Sequence, residues 1–166
     1  MKHSSQKTSG FSLVEVTLAI GVAAFALLAV MAMLPVGLKT QQASVQQTTA
    51  TAISTQIVAD LTAALRLPPG LESKQFNLHG HWAAMMTPDI VYFDQNGDYI
   101  STNGAAPSNA VFMAGVTYLD PPTETTSLAD ITVAWPAAAV PINQSTGQID
   151  YTKATGGIET FSAINR

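Results

Sequence analysis

From Phe11 to Leu38 the chain reads FSLVEVTLAIGVAAFALLAVMAMLPVGL, with Glu15 as its one charge and none from Val16 to Leu38. About 23 uncharged residues at ~1.5 Å rise make a helix of roughly 34 Å, enough to cross a hydrocarbon core of about 30 Å. From Lys39 to Leu67 the character changes to KTQQASVQQTTATAISTQIVADLTAALRL, in which Ile53, Ile57, Leu61 and Leu65 recur every fourth residue. That spacing is a helical stripe, widened by Val58 and Ala64 and backed by Gln, Thr and Ser, so one face is expected to bury while the other meets water. Neither Pro nor Gly interrupts Lys39 to Arg66, and the first firm stop is Pro68-Pro69-Gly70. The pattern predicts one continuous helix of about 55 residues, apolar in its first half and amphipathic in its second. Pro35 lies inside it with Gly37 close by, and a proline there removes one hydrogen bond and is expected to kink the helix.

Beyond Leu71 the period shortens to that of strands. Asp89 to Asp94 (DIVYFD) and Asp98 to Thr102 (DYIST) flank Asn96-Gly97, a strong hairpin signal. Val111 to Leu119 (VFMAGVTYL) and Asp130 to Trp135 (DITVAW) are rich in β-branched and aromatic residues, with Ile131, Val133 and Trp135 on one face, and Ile158 to Ile164 (IETFSAI) is placed to close the sheet. Pro121-Pro122 and the Ala/Pro stretch from Pro136 to Pro141 read as loops or edge segments. The expected fold class is therefore α+β: a long N-terminal helix on a small, mainly antiparallel sheet of four or five strands. A small sheet needs one face covered, and the Ile53/Ile57/Leu61/Leu65 stripe is the available cover for helix-sheet packing. The boundaries that follow are a leader over 1–10, an apolar helix half over 11–38, an amphipathic half over 39–67 and a sheet domain over 68–166.

Composition narrows the function. Of 166 residues 47% are hydrophobic and only 11% charged, less than half the usual share, which fits apolar content concentrated in one segment. Without cysteine, disulfide scaffolds, thiol nucleophiles and cysteine-bound metal centres are excluded. A formal net charge of -4 with 7 Lys+Arg leaves no basic stripe for phosphates, so nucleic acid is not an expected partner.

The junction at the start of the apolar run carries the functional signal. Met1 to Gly10 holds Lys2, His3 and Lys7 and no acid. A secretory signal would place its cleavage site after the apolar run, whereas here the small residue precedes it. Glu15 at the entrance of an apolar segment asks for a cation, because an unpaired ionised group there is costly.

Gly10-Phe11-Ser12-Leu13-Val14-Glu15, followed by Val16-Thr17-Leu18-Ala19-Ile20, resembles the N-terminal cleavage and methylation signal of type IV prepilins and type II secretion pseudopilins. The resemblance implies that a membrane-embedded prepilin peptidase cuts after Gly10, that Phe11 becomes the N-methylated first residue, and that Glu15 is the assembly glutamate pairing with the amine of a neighbouring subunit. The physical logic stands beside the name: cutting at Gly10 makes a new positive amine about one helical turn from Glu15, and neutralisation between staggered subunits would set their axial register. Family members usually carry Lys or Arg before the glycine; Ser9 stands here, and the nearest basic residue is Lys7. The wider layout, with MLPVGL closing the apolar run, VYFDQNGDYI in mid-chain, ITVAWP and a terminal ETFSAINR, resembles the Verru_Chthon cassette protein B family of pilin-like proteins. Many major pilins tie their C-terminal loop with a disulfide, so within this resemblance the absence of cysteine implies a minor pilin or pseudopilin. The implied role is structural, in a type IV pilus-like or type II secretion filament, with inner-membrane residence and a periplasmic sheet domain before assembly. The implied partners are the peptidase, other pilin-like subunits and the membrane. The alternative is a membrane-anchored periplasmic binding module.

Other chemistry is sparse. Asp94-Gln95-Asn96-Gly97-Asp98 has spaced oxygens, but a calcium loop wants Gly where Tyr99 stands and Glu where Ala105 stands, so a hairpin turn is the expectation. His79-Gly80-His81 would share a strand face, with no third ligand placed and Trp82 beside them; ordinary packing is expected, and no metal. Asp60, Glu72, Asp120, Glu124, Asp130, Asp150 and Glu159 read as solvated charges. No Ser/His/Asp order, phosphate loop or metalloprotease motif is present, so neither an enzyme nor a cofactor is expected.

Overall fold

The computed structural model describes residues 10–68, 70–80, 88–123, 126–143 and 149–165, by backbone alone at 120–123, 126, 127 and 165. The leader up to Ser9, together with His81, Trp82, Glu124 and the Asp120 side chain, lies outside the described residues. The chain forms two compact units, the first ending at Ala43 and the second starting at Ser44.

Helix α1 runs from Leu13 to Ala64, 52 residues without a break at Pro35. Every residue from Gly10 to Val45 is exposed. Threonines along the helix return their hydroxyls to the preceding turn, as in Thr40 to the Val36 carbonyl at 3.0 Å and Thr48 to that of Ser44 at 2.9 Å. Thr40, Thr48, Thr51 and Thr55 thereby satisfy their hydroxyls within the helix itself.

Within the second unit the amphipathic half of α1 buries Ala50, Ile53, Ser54, Ile57, Asp60 and Leu61. Ile53 and Ile57 are fully inaccessible, whereas Leu65 and Val58 are partly buried against the same core. Leu65 is looser because α1 ends at Ala64. Asp60 is the surprise on this face: expected to be solvated, it is 6% exposed. It faces inward because the following loop offers it three donors, the Ser73 hydroxyl and the backbone N–H groups of Gln75 (3.2 Å) and Phe76 (3.1 Å).

Five strands follow: β1 (Asp89–Phe93), β2 (Tyr99–Thr102), β3 (Phe112–Thr123), β4 (Thr126–Trp135) and β5 (Gly156–Asn165). They form one antiparallel sheet in the order β2-β1-β3-β4-β5. Alternation fixes the faces. Val91, Phe93, Phe112, Ala114, Val116, Ile131, Val133 and Trp135 join the α1 stripe in the main core. On the opposite face Ile90, Tyr92, Met113 and Ala134 lie under Ala137, Val140 and Ile149 of the segment joining β4 to β5. Gly115 permits that cover, since a Cβ there would come within 2.7 Å of the Ile149 Cδ1 atom.

The hairpin at Asn96-Gly97 is present, as a longer turn over 94–98 with a register shift between Tyr92 and Phe93. Gly97 takes φ +85°, and Asp94 accepts from the N–H groups of Asn96 (2.8 Å) and Asp98 (2.9 Å). Its oxygens serve the turn, as the hairpin reading requires. Pro121 and Pro122, expected in a loop or at an edge, fall within β3. They are tolerated because β1 pairs with β3 only as far as Val116, and the β3–β4 register shifts between Leu119 and Thr123.

Replacing Ile57 or Leu61 by Asp puts an unpaired charge into the main core and is expected to cost about 4 kcal/mol. Gln56→Asp, on the exposed side of the same turn, should change stability little. Urea denaturation of a fragment beginning at Lys39 checks this, and equal sensitivity at all three positions would refute the stripe as the packing face.

Candidate functional site

The entrance of α1 is built by two side chains. The Glu15 carboxylate accepts the Ser12 backbone N–H at 2.9 Å, and the Ser12 hydroxyl accepts the Glu15 backbone N–H at 3.2 Å. This reciprocal arrangement is a capping box: both donors would otherwise be orphans of the first helical turn. It starts the helix at Leu13 and turns the Glu15 carboxylate back towards the chain ahead of it, one residue from Phe11. Phe11 is 87% exposed. Gly10 has neither a left-handed φ nor any atom within 4 Å of a Cβ built on it, so its local conformation does not call for glycine. The Ser-x-x-Glu spacing from Ser12 to Glu15 was readable in the sequence as a helix start; Glu15 was instead read for its charge.

The described residues contain one helix long and apolar enough to span a membrane, and the apolar part of α1 is that segment. It is consistent with a single-pass anchor.

A second polar site, absent from the sequence expectations, lies where the chain passes from α1 into the sheet. Asp89, the first residue of β1, is 1% exposed. It accepts from the His79 backbone N–H (2.8 Å), the His79 ring Nδ1 (2.6 Å), the Tyr118 hydroxyl (3.2 Å) and the Asn103 side-chain amide (3.4 Å). Tyr118 in turn accepts the Gly80 N–H at 3.1 Å. A carboxylate only accepts, so Nδ1 of His79 carries the proton. That hydrogen bond and the Asp89 charge raise the His79 pKa above its ordinary value, with Glu72 adding to the effect. Burial, reinforced by the Asp89 charge, pushes the Tyr118 phenol well above its usual range, so it stays a donor. His79 was expected to pack ordinarily; it is instead a half-exposed partner of a buried acid.

On the outer sheet face, Asp130 lies beside Thr117, Thr132 and Tyr151 at a cavity of about 60 Å³. Burial, then the nearby Glu159, raises the Asp130 pKa. Among the described residues no group of three or more His, Asp and Glu is arranged to hold a metal.

No family model matches this chain, nor does any curated protein or solved structure.

Because His79 holds its proton more tightly folded than unfolded, it contributes stability that is complete below about pH 6.5 and is lost as pH rises through its folded-state pKa. The melting temperature of wild type should therefore exceed that of His79→Gln most below about pH 6.5, with the gap shrinking at higher pH, measured with a chelator present. A gap constant from about pH 5 to pH 9 would refute the charged pairing.

Proposed function

We propose that this chain is a pilin-like structural subunit, a minor pilin or pseudopilin of a type IV pilus-like or type II secretion filament. On this reading it is processed by a prepilin peptidase and held in the inner membrane, with its sheet domain in the periplasm until assembly. The observation that carries the proposal is the division of one unbroken helix into a fully exposed apolar half and a half whose Ile53, Ile57 and Leu61 are buried under a sheet. Among the described residues nothing buries the apolar half, and lipid or the helices of like subunits both fit as its partner.

The junction adds support. Gly10 answers no local conformational need, which suits a residue selected by a peptidase that cuts beside it. The capping box holds the Glu15 carboxylate near Phe11, where cleavage after Gly10 would create an amine. Glu15 then serves twice: it caps its own helix before assembly and offers a neighbour's Phe11 amine a counter-charge within the apolar bundle. Pro35 and Gly37, in the apolar half, are suited to local loosening of the helix as it moves from lipid to filament.

In cells with an active prepilin peptidase, the mature chain is expected to begin at N-methylated Phe11, read by intact-mass and N-terminal peptide analysis. A retained leader or a terminus beyond Leu38 would overturn the assignment. Glu15→Ala should leave membrane insertion and cleavage after Gly10 in place but remove the protein from sheared filaments, with Glu15→Asp intermediate because its arm is shorter. If Glu15→Ala enters filaments as well as wild type, the pairing mechanism fails and the membrane-anchored binding module is the better account. Fractionation and immunoblotting separate these outcomes.

A further inference from the structure

The stretch after α1 is folded back on itself. The Ser73 backbone N–H donates to the Leu78 carbonyl at 2.8 Å, and the Leu78 N–H returns to the Ser73 hydroxyl at 3.0 Å. Closing the loop at Ser73 and Leu78 sets their outer neighbours, Glu72 and His79, side by side. Both ends of the loop are pinned to buried carboxylates, Asp60 through Ser73, Gln75 and Phe76, and Asp89 through His79. His79 Nε2 lies 3.8 Å from Glu72 Oε1, and the two side chains are 47% and 53% exposed.

We infer that Glu72 and His79 form a site for a first-row divalent transition ion of the zinc type, with His79 Nε2 and a Glu72 carboxylate oxygen as protein ligands, water completing the coordination and Asp89 orienting the imidazole. The donor set is one imidazole, one carboxylate and water, which suits zinc, whereas calcium and magnesium take oxygen ligands throughout. Asp89 plays the part of the outer carboxylate in a carboxylate–histidine–metal triad: it holds the proton on Nδ1, fixes the ring plane and leaves the Nε2 lone pair directed outward. Ligand distances of about 2.0–2.2 Å at a tetrahedral angle put nitrogen and oxygen roughly 3.4 Å apart. The half-exposed Glu72 arm has to close only the small remaining gap by rotating its carboxylate. Binding displaces any proton from Nε2, so the ion and the proton compete for the same lone pair. Neither ligand type was unusual by itself in the sequence; the loop closure makes them a pair, and the inference is independent of the filament reading.

The test uses the full chain in detergent with His3→Gln and His81→Gln, so that His79 is the remaining histidine. Zn²⁺ is titrated by calorimetry at neutral pH. One equivalent is expected to bind, reversibly with chelator, and to raise the melting temperature, with no response to Ca²⁺ or Mg²⁺. Glu72→Gln, an exposed change that leaves the fold intact, should weaken binding at least tenfold, and His79→Gln should abolish it. Asp89→Asn should weaken it by about 10–100-fold if the variant remains folded by circular dichroism; the two exposed variants decide the matter if it does not. Absence of saturable binding in the parent, or binding indifferent to Glu72→Gln, would overturn the site.

Discussion

Burial of one helical stripe organises the second unit. Ile53, Ile57 and Leu61 lie against Val91, Phe93, Val116, Ile131 and Val133, and these side chains come from α1 and three adjacent strands. A five-stranded sheet of this size does not hold with one face bare, and α1 is the long element available to cover it. The strand register follows from the same requirement, because slipping any strand by one residue would turn its apolar set away from the helix. β1 shows the opposite face satisfied too: all five of its residues are buried, Val91 and Phe93 towards α1, Ile90 and Tyr92 beneath the segment that carries Val140 and Ile149.

That arrangement leaves a joining problem between α1 and β1, and two buried carboxylates solve it. Asp60 reaches out of the helix to three donors in the loop, and Asp89 reaches back from the sheet to four. Phe76, between them, enters the core and meets Phe93 edge-on at a ring separation of 5.5 Å. Over residues 70–80 this loop, with Phe76 and Leu78 as apolar plugs and two acidic clasps, has a fixed path, since each buried acceptor left without its donors costs roughly 1–3 kcal/mol. The same fixed path places Glu72 beside His79.

How much of this was legible depended on periodicity. The extent of α1, the Ile53/Ile57/Leu61 face and the five strands follow from apolar spacings of about four and of two, which reflect what each element buries. Asp60 was misread because its partners lie 13 to 16 residues away in a loop without a period. Asp89 reads as the edge of a strand until the fold brings Tyr118 and Asn103 to it. Pro121 and Pro122 mark a weak place in a sheet, but whether that place is a loop or the end of β3 that β1 does not reach is decided by where β1 begins. At the helix entrance the opposite holds: the Ser12–Glu15 cap is local and its three-residue spacing would have been enough to find it, but Glu15 was read for its charge alone.

The exposed half of α1 bears on what drives assembly under the proposed function. Lipid tails are as apolar as Leu, Val and Phe side chains, so moving this segment from membrane to a bundle of like helices gains little from the hydrophobic effect. The preference then rests on close packing and on polar groups that fare differently in the two settings. Between Phe11 and Leu38 Glu15 is the one charged side chain. In the separate chain its carboxylate is already occupied by the Ser12 N–H, so a neighbour's amine does not rescue a bare charge but adds opposite charge to a capped one. Pairing of that kind favours one axial stagger without making the lone subunit unstable in the membrane. On the proposed function a subunit stored in lipid before use needs both properties, and a single glutamate at the third position of the helix would supply them.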